Sequence, residues 1–114
     1  MTTIYHNPSC SKSRATLSEL QERELDFNIV KYLDTPPSAV EILELISLLG
    51  DSASEIIRTG EPIYKELGLN DKNLSNLEWA QVLADNPKLI ERPIVVHNGK
   101  AAIGRPIERV IDIL

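Results

Sequence analysis

The dipeptide Asn98-Gly99 sits between two apolar triplets, Ile94-Val95-Val96 and Ala101-Ala102-Ile103. Asn-Gly supplies the two positive φ angles of a type I′ turn, so these residues predict a tight β-hairpin. Gly104-Arg105-Pro106 follows, with Pro106 suited to the first position of a helix whose apolar face is Ile107, Val110, Ile111 and Leu114. The chain therefore closes with a hairpin and then a helix. Its other end reads differently. Thr3 to His6 forms a short strand bounded by Asn7-Pro8, and a helix runs from Ser11 through Ala15, Leu17 and Leu20. Asp26 to Leu33, with Phe27, Ile29, Val30 and Tyr32, has strand length and stops at Thr35-Pro36-Pro37. A helix between two strands favours a parallel pair joined by a right-handed crossover.

Between these ends the pattern is helical. Ser38 with Glu41, Ser52 with Glu55 and Ser75 with Glu78 all have capping-box spacing, in which a hydroxyl and a carboxylate satisfy orphan amides at a helix start. The first helix carries Ile42, Leu45, Ile46 and Leu49 and ends at Gly50; a short helical turn covers Pro62 to Leu67 before Gly68. The helix after Ser75 carries Leu77, Ala80, Leu83 and Ala84, and Asn86-Pro87 starts another short turn. No internal repeat, low-complexity tract or linker interrupts the chain. With 114 residues, two independent cores would each be marginal, so one domain is expected. The plan is α/β: a thioredoxin-like four-stranded mixed sheet built from about 1–34 and 92–114, with an inserted helical segment at about 35–91.

The net charge of −5 disfavours nucleic acid or an anionic membrane as the main partner. Its distribution is more telling. Thr35 to Glu91 holds 4 basic and 10 acidic residues, which leaves 8 basic and 7 acidic residues in the flanking segments. An anion site is therefore expected in the flanks. No apolar run approaches a membrane span and Met-Thr-Thr-Ile-Tyr-His has no signal-peptide character, so the expected location is the cytoplasm. The one cysteine, Cys10, excludes an intrachain disulfide and a multi-cysteine metal site. If Cys10 is redox-active, the resolving thiol comes from another molecule.

A lone cytosolic cysteine is usually a small buried hydrophobe. The surroundings of Cys10 are the opposite: Pro8-Ser9-Cys10-Ser11-Lys12-Ser13-Arg14 is polar and cationic, at the N-terminal edge of a helix. Exposed helix amides, the positive end of the helix dipole and nearby cations all lower a cysteine pKa, which makes the sulfur a nucleophile. Arg14, Arg23 and Arg109 read as solvated helix-face charges. Arg92 and Arg105 each precede a proline at the start of an element, and at Arg105 an oxyanion could also use free helix amides. Arg58, next to Thr59-Gly60, reads as a cation at a helix end. His6 ends the first strand four residues before Cys10, close enough to hydrogen-bond or proton-couple to it, whereas His97 reads as an exposed turn neighbour. The histidines and carboxylates have no ligand spacing, so no metal is expected. There is no phosphate-binding glycine loop, dinucleotide fingerprint or hydrolase serine elbow.

Taken together, His6-Asn7-Pro8-Ser9-Cys10-Ser11-Lys12-Ser13-Arg14, Tyr32-Leu33-Asp34-Thr35-Pro36-Pro37, Glu66-Leu67-Gly68-Leu69 and Arg92-Pro93-Ile94-Val95-Val96 resemble the ArsC family of glutaredoxin-dependent arsenate reductases. The resemblance runs in order along nearly the entire chain. It implies a thioredoxin-like fold with a helical insertion and a proline at Pro93 where such folds often hold a cis peptide. It also implies that Cys10 is the nucleophile, that His6 supports its thiolate, and that Arg58, Arg92 and Arg105 bind the oxyanion. Arsenate is then the substrate, glutathione the external reductant and glutaredoxin the protein partner, with no bound cofactor, no nucleic acid and no membrane. Ser11-Lys12 after the cysteine adds a cation relative to many members. Two other readings compete. Spx-like regulators share the plan and bind RNA polymerase, but many carry a Cys-x-x-Cys switch where this chain has Ser13. A thiol-transferase acting on glutathionylated proteins would reduce mixed disulfides regardless of oxyanions.

Overall fold

The computed structural model describes residues 1–114. The chain forms two compact units: Met1–Thr35 together with Arg92–Leu114, and Pro36–Glu91. The first unit is built on a four-stranded sheet. Its strands are β1 (Thr2–Tyr5), β2 (Asn28–Val30), β3 (Ile94–His97) and β4 (Lys100–Ile103), in the order β2-β1-β3-β4. β1 pairs parallel with β2 and antiparallel with β3, and β3 pairs antiparallel with β4. With helix α1 (Ser11–Glu22) crossing from β1 to β2 and α5 (Glu108–Ile111) following β4, this is a mixed α/β sheet of the thioredoxin-like kind.

Side chains alternate across a strand, so a register row shares one face. Ile4, Val95 and Ala102 form such a row and pack with Leu20 of α1 and Val110 of α5 into the core, flanked by Leu17, Leu25, Phe27, Ile113 and Leu114. Burying each large apolar side chain contributes roughly 1.5–3 kcal/mol. The neighbouring row, Tyr5, Ile94 and Ile103, is buried on the opposite face. The Asn98-Gly99 turn has φ of 49° and 80°, the two left-handed angles that the hairpin requires.

Three local expectations are corrected. β2 is only Asn28–Val30, because the Lys31 carbonyl accepts from the amides of Asp34 and Thr35 at 2.9 Å each and turns the chain out of the ladder. The buried face of α1 is Ser13, Thr16 and Leu20, with Ala15 exposed. Its hydroxyls tolerate burial because they are hydrogen-bonded; Thr16 Oγ1 donates to the Lys12 carbonyl at 3.1 Å. Pro106 does not open α5, which begins two residues later; its carbonyl instead closes a turn with the Arg109 amide at 3.1 Å.

The second unit is the helical segment inserted between β2 and β3. It holds α2 (Ala39–Leu49), α3 (Pro62–Glu66) and α4 (Asn76–Asp85), with 3-10 turns at Gly50–Ile56, Leu69–Asp71 and Pro87–Leu89. α2 packs against α4, and Ile42, Leu45, Ile46, Leu49, Ala80 and Leu83 are buried. Ser38–Glu41 and Ser75–Glu78 form full capping boxes at α2 and α4. The third expected box, Ser52–Glu55, is absent as such. The helix breaks at Gly50, with φ of 56°, and Ser52 lies inside the following 3-10 segment rather than at a helix start, so it does not occupy an N-cap position. No helix is long and apolar enough to cross a membrane.

Candidate active site

The strand register decides which loops meet. Tyr5 pairs with Ile94, and Ile94 pairs with Ile103. The chain leaving β1, the chain entering β3 and the chain leaving β4 therefore emerge at the same end of the sheet. Those three stretches carry His6 and Cys10, Arg92, and Arg105.

Cys10 is the N-cap residue of α1, with extended φ and ψ of −98° and 123° and its carbonyl accepting from the Arg14 amide at 3.0 Å. Cys10 is buried, with 8% of the residue exposed. Burial alone would push the thiol up. That is outweighed by the backbone amide of Ser13, a hydrogen bond from the Arg92 side chain, the Lys12 amide and the charge of Arg92, so the net effect holds the thiol below its ordinary value. Arg105 Nη2 donates to Cys10 Sγ at 3.3 Å, a second guanidinium on the same atom. The helix amides act on the sulfur as oriented dipoles, without the tight capping bond an oxygen would make.

Both arginines are themselves positioned. Arg105 Nε donates to the Arg92 carbonyl at 2.8 Å, so one guanidinium spans from the backbone of the other arginine to the sulfur. Arg92-Pro93 and Arg105-Pro106 are cis peptides. Gly104 stands between β4 and Arg105, and its amide donates to the Pro93 carbonyl at 2.9 Å. A Cβ there would lie 2.8 Å from Pro93 Cγ and 2.9 Å from Thr16 Oγ1, so only glycine lets this turn approach Pro93 and α1.

His6 is buried, and its Nδ1 is hydrogen-bonded to Ser13 Oγ at 2.6 Å. Ser13 Oγ also accepts from the Asn7 amide at 3.0 Å. Burial, with Lys31 and Arg14 nearby, holds the imidazole below its ordinary pKa and therefore neutral at neutral pH. The path from His6 to the sulfur thus runs through Ser13, whose backbone amide faces Cys10. Ser13 is a site residue whose role the linear pattern did not assign. Its spacing is the signal: three residues after an N-cap is where a capping partner's amide points back.

Arg58 belongs to the second unit. It does not end a helix: the 3-10 segment stops at Ile56, and Arg58 lies beyond the bridge between Ile57 and Ile90. Its Nη1 donates to Glu91 Oε1 at 2.7 Å. The Lys12 side chain is exposed, and His97 Nδ1 is hydrogen-bonded to Thr2 Oγ1 at 2.7 Å. No group of three or more His, Cys, Asp or Glu side chains is placed to hold a metal ion. Cys10, Arg92 and Arg105 thus form a partly shielded sulfur with cationic donors around it, suited to attack on an anionic electrophile.

The chain is similar to known proteins along nearly its entire length. The ArsC family pattern matches residues 5–113. An arsenate reductase of Neisseria meningitidis serogroup B is 51% identical over 112 residues, 97% of this chain and 96% of that protein. The Escherichia coli protein YfgD, of uncharacterized function, is 53% identical over 112 residues, 97% of this chain and 94% of its own. The solved structure of an arsenate reductase from Vibrio cholerae superimposes with a TM-score of 0.92 at 47% identity, covering 99% of this chain and 97% of that one. With a match spanning all but the chain's extremities and relatives this similar, the protein belongs to the ArsC family.

Proposed function

We propose that this protein is an arsenate reductase in which Cys10 is the nucleophile, Arg58, Arg92 and Arg105 bind the oxyanion, His6 supports the thiolate through Ser13, and glutathione and glutaredoxin supply the electrons. The observation that carries the reading is the Cys10 sulfur held below its ordinary pKa by the Ser13 amide and Arg92, with Arg105 Nη2 at 3.3 Å. An anionic nucleophile and an anionic substrate repel one another unless cations stand between them, and two guanidiniums meet at this sulfur. Arg58 joins the set on its match to the family, and the similarity to proteins named arsenate reductase supports arsenate as the substrate.

In this reading the Cys10 thiolate attacks arsenic(V); a sulfur–arsenic bond forms, an arsenic–oxygen bond breaks, and the oxygen leaves as water with protons from solvent. A glutathione thiol adds to arsenic in the same way and releases a second water. A glutaredoxin thiolate then attacks the glutathione sulfur, forming the mixed disulfide and leaving the bonding pair on arsenic, which becomes arsenic(III). Water hydrolyses the remaining Cys10–arsenic bond and returns the thiol and arsenite. The chain has no second cysteine, so both reducing thiols come from outside. The test is arsenite formation by the purified protein with glutathione and glutaredoxin. Cys10→Ser is expected to reduce turnover to background, and a Cys10→Ser protein with full activity would overturn the reading.

A further inference from the structure

Arg58 and Glu91 are held by one small piece of backbone inside the helical unit. Ile57 and Ile90 form an antiparallel bridge, the Arg58 amide donates to the Leu89 carbonyl at 2.7 Å, and the Glu91 amide donates to the Ile56 carbonyl at 2.7 Å. The two side chains meet beyond that bridge, with Arg58 Nη1 donating to Glu91 Oε1 at 2.7 Å. Their side-chain exposures are 22% and 20%, so this is a short, charge-assisted bond sheltered from water rather than a loose surface pair. It engages one nitrogen at one end of the guanidinium. Arg58 Nε is buried and has no hydrogen-bond partner. Nε and Nη2 make up the edge with which an arginine takes two oxygens of a carboxylate or phosphate-like anion at once. A buried N–H without an acceptor is costly and uncommon, so an Nε donor left in that condition fits a ligand oxygen.

We propose that Glu91 is a positioning residue for oxyanion binding: it anchors Nη1 of Arg58 so that the Nε edge is oriented before the anion arrives. The inference rests on the reading of Arg58 as an oxyanion ligand. Two effects of the carboxylate oppose each other, since its charge repels an anion while its hydrogen bond removes the freedom of a long side chain. Substitutions separate them. Glu91→Gln removes the charge and keeps an acceptor oxygen; Glu91→Met keeps the bulk and removes both; Glu91→Ala removes everything.

The measurements are the arsenate KM and kcat of each variant, and the arsenate concentration that protects Cys10 from iodoacetamide, with melting temperatures to confirm folding. Glu91→Met and Glu91→Ala are expected to show a KM and a half-protecting arsenate concentration about fivefold or more above those of Glu91→Gln, with a smaller effect on kcat. Should Glu91→Ala lose its fold, Glu91→Met carries the comparison. Equal or tighter arsenate binding by Glu91→Met than by Glu91→Gln would overturn the anchor while leaving the arsenate reductase reading intact. A wild-type protein that neither turns over arsenate nor is protected by it would sink that reading and the anchor with it.

Discussion

At Cys10 the balance of opposing terms can be tested directly. Burial favours the neutral thiol, whereas the Ser13 amide, Arg92 and the Lys12 amide favour the thiolate and prevail. Removing a cation shifts that balance back. Arg92→Ala is therefore expected to move the midpoint of the pH–rate profile for iodoacetamide alkylation of Cys10 to higher pH and to slow alkylation at neutral pH. Arg105→Ala, which removes the donor at 3.3 Å, is expected to act in the same direction. An unchanged midpoint in both variants would show that the helix amides alone ionise the sulfur. The cationic setting of Cys10 was legible from its neighbours, because a polar, cationic run is a poor core segment. The partner of His6 was not legible. Spacing put the imidazole near Cys10, but its hydrogen bond goes to Ser13 at 2.6 Å, and no linear pattern states which of several nearby hydroxyls and thiols a buried ring will choose.

At the level of elements, the two capping boxes show what local chemistry decides. Ser38 accepts from the Glu41 amide at 3.2 Å while the Ser38 amide donates to Glu41 Oε1 at 3.0 Å, and both groups belong to the same first turn. Ser38→Ala is expected to lower stability by about 1 kcal/mol, read as a shift in the urea midpoint. Ser52→Ala, at the same spacing from an acid but inside a 3-10 segment, is expected to change it by less than about 0.5 kcal/mol. Equal losses would mean that Ser52 has a partner of another kind. The spacing Ser-x-x-Glu is necessary for a capping box without being sufficient; the serine must also be the extended residue at a helix start, as Ser38 and Ser75 are, whereas Ser52 falls inside the 3-10 segment that follows α2. Pro106 makes the same point, since a residue suited to the first helical position instead completes a turn ahead of α5. The hairpin was legible because Asn98-Gly99 needs no tertiary help to adopt its left-handed angles.

For the whole molecule, two groups of the sheet unit tie stability to pH. His6 in the folded state lies below the ordinary histidine value of 6.5, so the unfolded chain takes up the proton first. Its contribution is fully present above 6.5 and is lost as pH falls below that value. Cys10 in the folded state lies below the ordinary value of 9.0, so its contribution is present above 9.0 and is lost as pH falls through the folded value. Both make stability rise with pH within their windows. Urea midpoints measured across pH are expected to rise less steeply with pH below 6.5 for His6→Asn, and the Cys10→Ser protein is expected to lose stability relative to the wild type as pH rises toward 9.0; a Cys10→Ser profile parallel to the wild type would contradict the depressed thiol. The sequence by itself determined the order of elements, the hairpin, the helix caps at Ser38 and Ser75 and the polar, cationic setting of Cys10, because each follows from chemistry within a few residues. Only the tertiary structure decided that Tyr5, Ile94 and Ile103 share a register row, and with it that Arg92 and Arg105 converge on a sulfur more than eighty residues away along the chain. Strand pairing is a long-range choice made by burying the Ile4, Val95 and Ala102 face against α1 and α5, and a packed face is a property of several segments at once.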